Sequence, residues 1–245
     1  VYSNIVYTGT QGNKLDFVKP YVVHDFGDVK VGFVGAATPL SIATSTPTFF
    51  QEDGEFVYGF GAGENGEILY GLVQVAVDAC KAEGADYVIL LTHLGVESDS
   101  EPYRSIDVIN HTHDIDACLD GHSHSVIPSQ YVANDRGELI PLSSTGTKLI
   151  YIGVLTITDD GVLNTTIVNG DLPDSPEFDA AAAEITGDYE EFVAQVMASS
   201  NVDLMISDED GIRMVRSRET NLGDLCADAY LAGANADIAL VNGGG

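Results

Sequence analysis

The sequence predicts an α/β protein built on a largely parallel sheet. Two apolar runs carry that prediction: Val88-Ile89-Leu90-Leu91, and Ile115 to Leu119, which only Asp116 interrupts. Each run leads into a histidine with a glycine nearby, in Thr92-His93-Leu94-Gly95 and in Gly121-His122-Ser123-His124. Ahead of the first run the apolar spacing is that of a helix, so strands and helices alternate as they do in a βαβ unit. Ligands gather outside the carboxyl ends of strands in open α/β sheets, which is where these histidines fall.

The elements follow in order. Val1-Tyr2-Ser3-Asn4 is already strand-like, and Pro20 to His24 and Val29 to Val34 read as two strands, the second of them buried. Thr38 to Gly66 is rich in Thr, Pro and Gly and reads as a long irregular excursion, a kind of segment that is often functional. Within it, Tyr58-Gly59-Phe60-Gly61 reads either as a mobile loop or as a lip over a ligand. Glu67 to Glu83 has apolar residues at 68, 69, 72, 76, 79 and 80, a helical period, and Gly84 suits its end. Tyr87 to Leu91 is then a strand, and a helix is expected over about Tyr103 to Asn110. Beyond the histidine turn, strands are expected at Leu139 to Ser143 and Leu149 to Thr158. Asp159-Asp160-Gly161 marks a turn into one more short strand. The order up to residue 120 suggests parallel pairing, and the later hairpins an antiparallel portion.

Asp171 to Pro176, with two prolines among acidic residues, reads as a linker, and Glu177 to Ser199 as a helix with Gly187 as its weak point. A new unit is expected from about residue 200. Asn221-Leu222-Gly223-Asp224 is close to a capping box, opening a helix to about Ala232 that leads to a strand at Asp237 to Val241. The domain expectation is therefore 1–171, a linker helix over 172–200, and a second unit over 201–245.

Composition narrows the function classes. A net charge of −28 disfavours unaided binding to nucleic acid or to an anionic membrane. It does not disfavour a small anionic substrate, because a bound metal ion reverses the local field. No run of 18 or more apolar residues occurs, so no membrane-spanning helix is predicted. Cys80, Cys118 and Cys226 are few and far apart, which fits buried thiols better than a disulfide framework.

His93, His122 and His124 are the candidate metal ligands, since neutral imidazole binds zinc and other transition metals. Taken singly, each reads more readily as a turn or core residue than as a ligand; the two motifs together, in this order, point to metal. A two-metal hydrolytic site holds its ions roughly 3.5–4 Å apart, clamps a phosphoryl group and supplies hydroxide for in-line attack. Three histidines make up about half of such a donor set. Of the other histidines, His111 and His113 read as helix-end or surface residues and His24 as structural. Arg216 and Arg218 read as salt-bridge partners more readily than phosphate ligands, and Ser207-Asp208-Glu209-Asp210 as a solvated turn.

Four stretches resemble the calcineurin-like metallophosphoesterases of the 5′-nucleotidase and 2′,3′-cyclic-nucleotide 2′-phosphodiesterase family. They are Lys30 to Gly35 with Thr38-Pro39; the two histidine motifs; Arg216 to Asp224; and Ala239 to Gly245. The resemblance implies part of a β-sandwich flanked by helices, a linker helix, and the start of a C-terminal substrate-binding domain. It implies that His93 and His122 bind one metal and His124 a second, and that Asn242 approaches substrate. The cofactors implied for the whole enzyme are two divalent ions, zinc, manganese or similar, with only a partial site here. The family's early Asp-x-His pair and its Gly-Asn-His segment have no counterpart in this sequence, so the chain reads as an internal segment with no assignable catalytic residue. It is expected to be inactive alone. The implied partner is a nucleotide or other phosphoester, and the implied location extracellular, periplasmic or at the cell surface. The alternative is a non-catalytic metal-binding or interaction module that keeps the fold without a complete site.

Overall fold

The computed structural model describes residues 1–158, 160–161, 163–169, 175–208, 214–215 and 218–243. The chain divides into two compact units, Val1–Leu172 and Pro173–Gly245.

The first unit begins with β1 (Ile5–Tyr7), β2 (Tyr21–Asp25) and β3 (Lys30–Ala37), followed by the short helix α1 (Ser41–Thr44). Three small strands follow: β4 (Gln51–Glu52), β5 (Glu55–Phe56) and β6 (Tyr58–Phe60). Then come α2 (Glu67–Ala82), β7 (Tyr87–His93), α3 (Ser105–Asn110) and β8 (Ala117–Asp120). The unit ends with β9 (Val126–Ala133), β10 (Leu139–Thr145), β11 (Tyr151–Ile157) and β12 (Leu163–Asn169). The central sheet has six strands in the order β2-β3-β7-β8-β10-β9. Its four middle strands are parallel, while β2 and β9 lie antiparallel on its two edges.

Strand alternation divides the core between the two faces of this sheet. Val88 and Leu90 of β7 join Val34 and Ala36 of β3 against Leu69, Val73, Ala76, Val77 and Cys80 of α2. Ile89 turns the other way and packs with Val31 and Ala117, against which Leu155, Ile157 and Leu163 of the β11–β12 hairpin are placed. Each fully buried aliphatic side chain contributes roughly 1.5–3 kcal/mol over leaving it in water. Helix α2 lies so close to β3 that a Cβ at Gly32 would stand 2.8 Å from the Sγ of Cys80. Gly84, at φ +86°, ends the helix as its position suggests.

The mixed α/β class holds. Its form here is one six-stranded sheet with helices packed on one face and the β11–β12 hairpin on the other. Some details differ from the sequence reading. The excursion from Thr38 is not featureless: Tyr58–Phe60 is β6, antiparallel to β1, so the aromatic-glycine stretch is a paired strand and not a loop. The sequence pattern predicts two strands between the histidine turn and Asp159; there are three, because β9 also forms and pairs with β10. Strand β9 carries Pro128 and is exposed along most of its length, which a sheet tolerates at an edge.

In the second unit α4 (Pro176–Val193) starts at Ser175, whose hydroxyl accepts from Phe178 N, and it continues through Gly187. Helix α5 (Asn221–Ala234) is capped by Thr220, not Asn221: the Thr220 side chain accepts from Gly223 N at 3.1 Å. Asn221 instead donates to Asp203 O and accepts from Met205 N. Residues 237–241 form no strand among the described residues. Most of the expected linker, along with Arg216, Glu209 and Asp210, lies outside the described residues.

Candidate metal centre

The parallel register of β7 and β8 pairs Leu91 with Leu119. Two residues further along, His93 and Gly121 therefore stand level at the carboxyl edge of the sheet, with His122 one step beyond. The His93 ring lies over Gly121, where a Cβ would be 3.4 Å from Nδ1. The His93 and His122 rings meet edge to face, with centroids 5.0 Å apart and planes inclined at 61°. At that separation one ion, bonded at about 2.0–2.1 Å, can reach a nitrogen of each ring. His122 and His124 both have left-handed backbones, at φ 77° and 56°. Such conformations are uncommon outside glycine and concentrate where the surrounding structure imposes them. Gly95, at φ +82°, packs beneath His122: a Cβ there would be 3.2 Å from His122 Cδ2.

Burial first, and then the neighbouring His122, lower the pKa of His93; Asp120 opposes them and His124 adds to them. The imidazole is thereby biased towards the neutral form that can bind a metal. His124 is exposed, and its side chain makes no ring contact or hydrogen bond among the described residues. The structure brings the His93 and His122 rings together, while His124 is exposed and acts on His93 electrostatically. A small pocket of about 250 Å³, lined by Val1, Tyr2, Leu91, Thr92, His93 and Leu119, opens beside His93.

The sequence pattern does not single out Asp120, yet this residue ties the two motifs together. Its Oδ1 accepts from Thr92 Oγ1 at 2.9 Å, Leu94 N at 3.2 Å and Gly95 N at 3.3 Å. Thr92 Oγ1 also lies 2.7 Å from Ser105 Oγ and 3.4 Å from the Sγ of buried Cys118. The second carboxylate oxygen, Oδ2, is shut off from solvent with no hydrogen-bond partner among the described residues. On the outer side, Ser125 donates to Glu97, and its hydroxyl is 2.9 Å from that of Ser123. The signal that could have found Asp120 is positional: Thr92 and Asp120 each immediately precede the residues that the register sets side by side.

Among the described residues no group of three or more His, Cys, Asp and Glu side chains could hold a metal ion. Two adjoining imidazoles fit part of a coordination sphere, and not the whole of one.

The remaining histidines have structural partners. His111 stacks on Tyr70 at 4.4 Å and contacts Asp107 O through Nδ1; His113 pairs with Asp135 at 3.0 Å; His24 packs edge-on to Phe33. All three cysteines are free, Cys226 being only partly buried. In the second unit Asn242 lines a cavity of about 740 Å³ together with Arg218, Thr220, Asp224 and Tyr230.

Residues 196–245 match the family described as 5′-nucleotidase, C-terminal domain. The chain resembles the 5′-nucleotidases. It is 27% identical over 252 aligned residues to the trifunctional nucleotide phosphoesterase protein YfkN of Bacillus subtilis, covering 97% of this chain and 16% of that protein. It is 26% identical to a 5′-nucleotidase of Diplobatis ommata over 89% of this chain and 37% of that one. The chain therefore spans well under half the length of these relatives. Among solved structures, the 5′-nucleotidase precursor of Thermus thermophilus superposes with a TM-score of 0.68 at 22% identity, over 96% of this chain and 46% of that one. These relatives carry the names of hydrolases of phosphoester bonds.

Proposed function

We propose that this chain is the histidine-bearing part of a metal-dependent phosphoesterase that hydrolyses nucleotides, of the 5′-nucleotidase or 2′,3′-cyclic-nucleotide phosphodiesterase type. The observation that carries the reading is the pair of imidazoles, 5.0 Å apart, at the carboxyl edge of adjacent parallel strands. His93 and His122 would hold one divalent ion, zinc or manganese in character, and His124 would serve a second. When bound, such ions supply hydroxide and offset the charge that develops on a phosphoryl group. The chain's own residues fix the imidazoles and bias His93 towards the neutral form. Asn242 is proposed to contact substrate, and an extracellular, periplasmic or surface location goes with the same resemblance. The names of the relatives support nucleotides as the substrate class.

A second reading, a metal-binding or interaction module without catalysis, is favoured by one observation: no three-donor group among the described residues. Hydrolysis of an aryl phosphate, a nucleoside monophosphate and a 2′,3′-cyclic nucleotide, with added manganese or zinc, separates the two. The chain alone is expected to show negligible turnover. A longer protein that adds an upstream segment with Asp-x-His and Gly-Asn-His should hydrolyse at least one of them and lose that activity in His122→Ala. No hydrolysis by the longer protein would support the second reading. Turnover by the chain alone that His122→Ala abolishes would show that two imidazoles suffice.

A further inference from the structure

The geometry points to Asp120 as a positioning residue: its Oδ1 brackets the turn after His93 to the strand end that carries His122, and so sets the spacing of the two imidazoles. Three donors from the first motif, Thr92 Oγ1, Leu94 N and Gly95 N, converge on that single oxygen from 2.9, 3.2 and 3.3 Å. Asp120 itself directly precedes Gly121-His122 in the second motif. Two of these bonds, from Leu94 N and Gly95 N, restrain the backbone immediately after His93.

The bracket is itself held. Since Thr92 donates to Asp120, the hydrogen in its 2.7 Å contact with Ser105 comes from the serine hydroxyl, which belongs to the first turn of α3. Ser105 N in turn donates to Gly95 O at 2.9 Å, which closes a loop of bonds around the His93 turn. Gly95 completes the coupling, because its Cα lies so close beneath His122 that a Cβ would stand 3.2 Å from His122 Cδ2. A shift of the His93 turn away from Asp120 would carry Gly95 with it and leave His122 without its floor. Side chains that fix metal-binding histidines in this indirect way commonly change metal affinity 10–100-fold when removed. The consequence for metal rests on the proposed function; the consequence for ring spacing does not.

The test uses the whole chain with isotope-labelled histidines, the His93 and His122 ring signals being assigned from His93→Gln and His122→Gln. Unaltered protein should show a nuclear Overhauser cross-peak between the two rings, read without metal. Asp120→Ala should lose it while the methyl signals of Leu69 and Val73 keep their positions, which reports an intact core. Thr92→Val removes one of three donors and should weaken the cross-peak, and Thr92→Ser should restore it. A cross-peak of full strength in Asp120→Ala overturns the proposal. Where Asp120→Ala does not fold, an unchanged cross-peak in Thr92→Val overturns it instead. Calorimetric titration with zinc should show at least tenfold weaker binding in Asp120→Ala. If the cross-peak is lost but the unaltered chain binds no zinc, the bracket stands and the metal reading fails.

Discussion

At the scale of single residues, the histidine turn depends on small and neutral groups as much as on the imidazoles. Gly95 must adopt φ +82° and leave space under His122. Gly95→Ala meets both obstacles, and should cost about 1–3 kcal/mol and weaken zinc binding, measured by urea unfolding and by titration calorimetry. Gly121→Ala makes a useful contrast, because a Cβ there meets His93 only at ordinary contact distance and should be tolerated. Beneath the turn, burial pushes the Cys118 thiol up to about 12 from its ordinary 9.0, with Asp120 adding to the effect. The unfolded chain therefore loses this proton first as pH rises, so the stability gained from the neutral thiol is complete below pH 9 and declines towards about 12. Cys80 is raised to about 11 by burial and acts in the same direction. Urea midpoints should fall from about pH 8 to about pH 10, and Cys118→Ala should flatten that fall. A midpoint that rises with pH over this window would contradict the assignment. The candidate ligands are legible in the sequence because strand ends and flanking glycines are local features. Asp120 is not, because its role arises only when the parallel register places residue 120 beside residues 92 to 95.

At the scale of elements, the strength of the fold lies where α2 crosses β3 and β7. Leu90→Ala, which removes a fully buried side chain from the centre of that contact, should destabilise the first unit by roughly 2–5 kcal/mol in chemical unfolding. Thr220→Ala should cost about 1 kcal/mol, expressed as faster amide exchange in the first turn of α5 and not in α2. The two costs differ because one empties a core position and the other removes a single cap. Long elements with a clear period are readable: α2 and β7 lie within a residue or two of where their spacing puts them. Strand β9 is not, because its exposed, proline-containing sequence resembles a loop until β10 supplies a partner. Residues 237–241 show the converse. Their apolar run is strand-like, but among the described residues no neighbouring strand completes the pairing, and Leu240 remains 95% exposed.

At the scale of the whole molecule, charge sets the terms on which the fold is stable. Ten lysines and arginines face thirty-eight aspartates and glutamates, so most of the acids cannot be paired and repel one another across the surface. Self-repulsion of this kind destabilises compact states, and salt screens it. The Debye length falls from about 30 Å at 0.01 M to about 10 Å at 0.1 M and about 3 Å at 1 M, so most of the relief should come in the first few tenths molar. The urea midpoint at neutral pH should therefore rise steeply with sodium chloride over that range and then level off, with the slope of the unfolding free energy against urea unchanged. Strengthened burial through exclusion of solute from the surface would instead keep growing into the molar range. Replacing exposed Asp16, Glu55 and Glu64 with lysine should raise the low-salt midpoint and reduce the salt response. If the triple substitution leaves the salt response as steep as before, surface repulsion is not what the salt relieves. The same charge bears on function, because a site that accepts an anionic phosphoester in this field depends on local positive charge. Under the proposed function bound metal would supply it, and the substrate affinity of the longer protein should then fall on metal removal more sharply at low salt than at high salt.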